Sequence, residues 1–159
     1  MDDRDDHLED AHPEATTRPL PGRTPEGTLA TALLAYAAVN GLSGLLVALF
    51  PTAFWNTIGG AADLYDRAYD STRFAGAALL ALAVGALLVL RKPAGQQTLV
   101  TVFALEATLV TLAIFTNLVG DDTPTDLWFE IVMLLGAGGV AGYLWWARIK
   151  ARGILRGSA

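Results

Sequence analysis

The chain has 159 residues, 53% of them hydrophobic, a net charge of −5 and no cysteine. Its apolar content and positive mean hydropathy lie beyond the usual range of a water-soluble domain. Disulfides, thiolate chemistry and cysteine-ligated zinc or iron–sulfur centres are excluded, and with only His7 and His12, both before the first apolar run, so is histidine ligation of haem within a membrane.

Residues 1–26, MDDRDDHLEDAHPEATTRPLPGRTPE, are rich in Asp, Glu and Pro and nearly without aliphatic side chains. Such a segment cannot bury enough apolar surface to offset its ordering entropy, and a disordered acidic tail is expected. Its acidic start and the late, long apolar run after it do not read as a signal peptide. Four apolar runs follow, at 28–50, 74–90, 98–119 and 127–147. Each approaches the ~20 residues that carry a helix across about 30 Å of hydrocarbon. The expected fold is all-α: an integral membrane four-helix bundle over 27–150, followed by a basic tail at 151–159. The run at 74–90 is the shortest and needs a turn from the preceding YDSTR. Between Pro51 and Gly59-Gly60, the stretch AFWNTI predicts a short helix lying in the membrane interface.

Orientation follows the basic residues. Arg18 and Arg23 precede the first run, Arg91 and Lys92 join the second to the third, and Arg148, Lys150, Arg152 and Arg156 close the chain. The other two connections hold only Arg67 and Arg73, beside Asp63, Asp66, Asp70, Asp121, Asp122 and Asp126. Both termini are therefore expected on the cytoplasmic side of a multi-pass protein. Few lysines against many arginines, with abundant Ala and Gly, fit a high-GC bacterium or an acidic-proteome halophile, and the expected location is a prokaryotic cytoplasmic (inner) membrane. Phe54, Trp55, Trp128 and Phe129 fall at the outer interface and Trp145 and Trp146 at the inner one, as aromatic belts do.

Lipid gives little hydrophobic drive between helices, so close backbone approach through small residues has to pack them. The second run is nearly all small, with Gly76, Ala77, Ala78, Ala81, Ala83, Gly85 and Ala86, of which Ala77, Ala81 and Gly85 recur at four-residue steps. The fourth has Gly136, Gly138, Gly139 and Gly142, with a GxxxG pair at Gly138 and Gly142, and the first carries Ala37 and Gly41. These residues are expected to pack the helices against one another within the chain.

Glu106 interrupts the third run at about 12–15 Å from its cytoplasmic end, where an acid is costly by roughly 2.5–3.5 kcal/mol. Tyr36, Asn40 and Ser43 are spaced i, i+4, i+7 on the first run, so they share one face at similar depth and are the expected hydrogen-bond partners of Glu106. The candidate roles for this group are a proton relay, a substrate-binding carboxyl, or a structural acid that fixes helix order. A second cluster, Arg73, Asn117 and Glu130, comes to one depth near the outer face, as an outward-opening pocket, as an Arg73–Glu130 pair pinning two helices, or with Arg73 snorkelling near Asp70. Thr101 and Thr108 are expected to face away from Glu106 and bond their own i−4 carbonyls. No phosphate loop, metal-ligand spacing, nucleophile elbow or nucleic-acid stripe occurs; no catalytic residue, cofactor or metal is assigned, and whether the chain is an enzyme stays open.

The order of these features resembles the small four-helix membrane proteins of the DoxX-like class, including the DUF4345-type proteins. The carrying residues are Gly41 and Gly44 in the first run, Pro51 closing it, and RFAGAALLALAVGALLVLRKP over 73–93. The resemblance covers 28–150 and implies a four-helix bundle without implying a reaction. Some DoxX-like proteins are linked to quinone-coupled sulfur oxidation, a role to which no residue here can be matched. The first functional expectation is a structural or accessory subunit able to hold an apolar or lipid-like ligand between helices. The alternatives are a proton-coupled transporter or channel component using Glu106, and a membrane enzyme subunit acting on a quinone or lipid. The expected partners are the lipid bilayer and a membrane protein or second copy of the chain, with no nucleic acid.

Overall fold

The computed structural model describes residues 24–58, 69–120 and 125–157, and no strand occurs among them. The acidic tail up to residue 23 and the loop residues Asp63, Asp66, Arg67, Asp121 and Asp122 lie outside the described residues, as does the side chain of Asp70. Six helices are described: α1 (Pro25–Leu49), α2 (Pro51–Thr57), α3 (Tyr69–Arg91), α4 (Gln97–Gly120), α5 (Leu127–Lys150) and α6 (Arg152–Arg156). Four are long and apolar enough to cross a membrane, with spans of 25, 21, 24 and 24 residues. The protein is an all-α four-helix membrane bundle.

Local chemistry sets the helix ends. Thr24 caps α1, its Oγ1 accepting from Gly27 N at 3.1 Å, and Pro25 takes the first helical position, where a missing N–H costs nothing. Pro51 disfavours helical geometry at the residue before it, so Phe50 turns to φ −130° and α1 ends. The same Pro51 then opens α2, the short helix expected from AFWNTI. Between α3 and α4, Gln96 N donates to Pro93 O at 3.1 Å across a turn in which Gly95 holds φ +77°. As expected, α3 takes the YDSTR turn to reach spanning length.

Around the bundle α1 packs on α3, α4 on α5 and α1 on α5, with little contact between α3 and α4. Thus α1 and α4 stand diagonally. The end where α1 begins and α5 finishes, here the basic end, holds the core: Leu33, Tyr36, Ala86, Val89, Val100, Ala104, Leu144 and Ala147 are almost entirely buried. Residues 151–157, expected as part of a basic tail, instead carry α6, and Leu155 closes the core from beneath with no exposure. At the opposite end α2 folds back under α1 and α3. Its Phe54 meets Phe129 of α5 edge-on at 6.2 Å, and Asp126 N donates to Ile58 O at 2.9 Å.

The small-residue seam uses part of the expected set: Gly76, Ala83 and Ala86 of α3 and Ala37 of α1 are buried. A Cβ on Gly44 would lie 2.8 Å from Gly76 O, and one on Gly76 would lie 2.6 Å from Ala48 N. The backbones of α1 and α3 therefore touch at Gly44 and Gly76. Ala77 and Ala81 are exposed. In α5 a Cβ on Gly138 would meet only Thr111 Cγ2, at an ordinary 3.5 Å, and one on Gly142 nothing within 4 Å. The GxxxG pair is not a close contact within the bundle.

Candidate functional site

Tyr36 is fully buried on α1 and its ring lies 5.1 Å from that of Phe103 on α4. Its hydroxyl crosses the bundle diagonal and donates to Glu106 Oε2 at 2.8 Å. A bulky phenol reaches across because Ala86 of α3 and Ala104 and Ala107 of α4, in the same buried core, are small. Asn40 is on the same face and buried, but its Nδ2 donates to Tyr36 O at 3.1 Å, so it serves its own helix rather than Glu106. Ser43 is half-buried one turn further on. Of the expected partners, the structure joins Tyr36 directly to the acid. The arrangement ties the diagonal helices by a bond that can be broken only by leaving an acid without its donor.

The second cluster, Arg73, Asn117 and Glu130, is brought together in part. Glu130 is 7% exposed, and Thr125 Oγ1 donates to its Oε1 at 2.5 Å. Glu130 and Asn117 both line a pocket of about 220 Å³ whose other walls include Phe54, Trp55 and Met133. Arg73 is exposed and is not part of that pocket. Equal depth put it beside Glu130 in the sequence view, but the rotation of α3 about its axis turns it elsewhere.

On the other side of the Phe54–Phe129 wall lies a larger apolar groove of about 490 Å³ between α1, α2 and α5. Leu46, Phe50, Trp128 and Val132 line it together with that wall. Neither cavity is lined by Glu106 or Tyr36. No three His, Cys, Asp or Glu side chains converge to hold a metal ion among the described residues.

The threonines of α4 do more than expected. Thr101 and Thr108 bond Gln97 O and Ala104 O, both at 2.7 Å, as the i−4 rule anticipates. Their oxygens also accept from α5: Arg148 Nε donates to Thr101 Oγ1 at 2.7 Å, and Trp145 Nε1 to Thr108 Oγ1 at 3.1 Å. The Arg148 guanidinium lies 5.4 Å from the Trp145 ring centroid, completing a cation–π contact. The signal was present: two threonines seven residues apart and a Trp and Arg three apart each define one helix face.

Comparison of the chain with protein-family models, curated proteins and solved structures finds no match.

Proposed function

We propose that the chain is a structural or accessory membrane protein that holds an apolar or lipid-like ligand in the groove between α1, α2 and α5. The observation that carries this is the groove itself, walled by Leu46, Phe50, Phe54, Trp128, Phe129 and Val132. Apolar walls with few polar groups suit a hydrocarbon ligand better than a polar substrate. In this account the Tyr36–Glu106 hydrogen bond is a pin that fixes the packed half, leaving the α2 end open to its ligand. The proposed setting is a prokaryotic cytoplasmic membrane with both termini cytoplasmic, in a DoxX-like bundle.

Native mass spectrometry of gently extracted protein tests the groove. A retained apolar molecule is expected on the wild type, absent from Val132→Trp, which fills the groove, and present on Leu88→Trp, at an exposed site on α3. Wild type carrying nothing, or Val132→Trp carrying as much, contradicts the proposal; a dimer mass instead assigns the groove to a second copy. Orientation has its own test, because the chain has no cysteine. A cysteine at Gly95 or Ser158 should resist an impermeant thiol reagent in intact cells, and one at Gly60 or Thr123 should react. The reverse pattern inverts the topology.

A further inference from the structure

Glu130 is more than nine-tenths buried, yet its hydrogen bonding among the described residues is one donor, Thr125. No described Arg or Lys forms an ion pair with it. A buried acid usually has a cation or several donors, since its desolvation is otherwise uncompensated. Here it faces a pocket of about 220 Å³.

We infer that this pocket binds a compact organic ammonium ion bearing an apolar substituent, with Glu130 as its counter-ion. The walls decide the class of cation. Phe54 and Trp55 stand edge-to-face with ring centroids 5.6 Å apart, and Phe129 lies 6.2 Å from Phe54. Aromatic faces attract ammonium groups, most strongly where water is excluded, and the Met133 thioether adds a soft, adaptable contact. A hard metal ion would want about six or more oxygens. The pocket offers the Glu130 carboxylate, the Asn117 amide and the Thr125 hydroxyl among otherwise apolar walls, which leaves a metal under-ligated but suits N–CH3 or N–CH2 groups. Asn117, which lines the same pocket, carries an amide oxygen that can accept from an N–H where the ammonium has one. Asp126 stands at the start of α5 at this end, and its negative charge raises the local concentration of cations. The site is separate from the apolar groove across the Phe54–Phe129 wall, and its ligand differs by carrying charge, so either can fail alone.

Calorimetric titration of the detergent-solubilised full chain with benzyltrimethylammonium, near neutral pH, tests it. Saturable binding is expected at one site per chain. Glu130→Gln, which keeps the side-chain shape and the bond from Thr125, should weaken it by about tenfold or more, the scale of losing a desolvated charge partner. Glu26→Gln, at the far end of α1, should leave it unchanged. The uncharged isostere neopentylbenzene should compete poorly, a readout on wild-type protein that does not depend on how the variant folds. Absence of saturable binding, equal affinity in Glu130→Gln, or equal competition by neopentylbenzene each overturns the inference.

Discussion

Around Tyr36 all the long helices close on one another, whereas toward Glu130 it is α4 and α5 that lose their buried side chains, while α1 and α3 still touch there at Gly44 and Gly76. On α4 the buried positions stop at Ala107, and Leu112, Phe115 and Val119 beyond it face outward. On α5, Leu144 and Ala147 are sealed while Leu127, Val132 and Leu135 are exposed. Apolarity does not separate the two halves, since both are built of Leu, Val and Phe. Size at the facing positions does. Alanines at 86, 104, 107, 141 and 147 let Tyr36, Phe103 and Leu144 nest at the basic end, whereas Phe54, Phe129 and Met133 meet at the α2 end and enclose space between them. Hydrophobicity puts a helix into lipid; small side chains opposite large ones decide whether it packs there.

Three pairs of substitutions and one single change probe where the helices pack, from large effect to small. Leu144→Ala should cost about 2–5 kcal/mol, as a fully buried leucine does, whereas Leu135→Ala, 72% exposed, should change stability by about 0.5 kcal/mol or less. Equal losses in reversible unfolding from mixed micelles would erase the distinction between the halves. Gly76→Leu should destabilise by about 1–3 kcal/mol or more, because a Cβ there meets backbone that cannot yield. Gly142→Leu, with nothing within 4 Å of its Cβ, should be tolerated. Thermal unfolding of both variants in one detergent checks the pair, and matching melting temperatures would move the tight seam off Gly76. Tyr36→Phe should cost about 1–3 kcal/mol by leaving Glu106 without its donor, and Glu106→Gln, which still accepts from Tyr36, less. If Glu106→Gln proves the more damaging in the same unfolding assay, the hydrogen bond is not what the acid contributes. Thr108→Val should cost only about 0.6 kcal/mol, typical of an interhelical hydrogen bond in a membrane, read as a small loss of the Trp145 environment in near-ultraviolet dichroism.

Much of this architecture was legible in the sequence, for identifiable reasons. Spanning length, Pro51 and AFWNTI located α1 to α5, because length and proline geometry act locally. The Tyr36–Glu106 bond followed from matched depth and the i, i+4, i+7 stripe on the first run. Rotation about each helix axis was not legible. A lipid-facing residue is as apolar as a core residue, so hydrophobic periodicity, which fixes the buried face of a helix in water, is nearly silent here. That is why the small residues of the second run could not be ranked, Gly76 lying at the seam and Ala77 and Ala81 outside it, why Gly138 and Gly142 make no close contact, and why Arg73 turns away from the pocket that Glu130 and Asn117 share. The inward turn of Leu155 escaped notice for a related reason: one leucine among RGILR carries too little pattern to reveal a helix.

The contrast between the halves is tested most directly by hydrogen exchange resolved along the chain, on protein stripped of bound apolar molecules and on protein that retains them. Amides around Leu33, Val100 and Leu144 should exchange slowly in both states. Those of α2 and of α5 from Leu127 to Val132 should exchange faster in the stripped protein and slow markedly when the groove is filled. Uniform protection along the helices, or slowing at the basic end with none around Phe54 and Val132, would contradict a packed half holding an open, ligand-binding one.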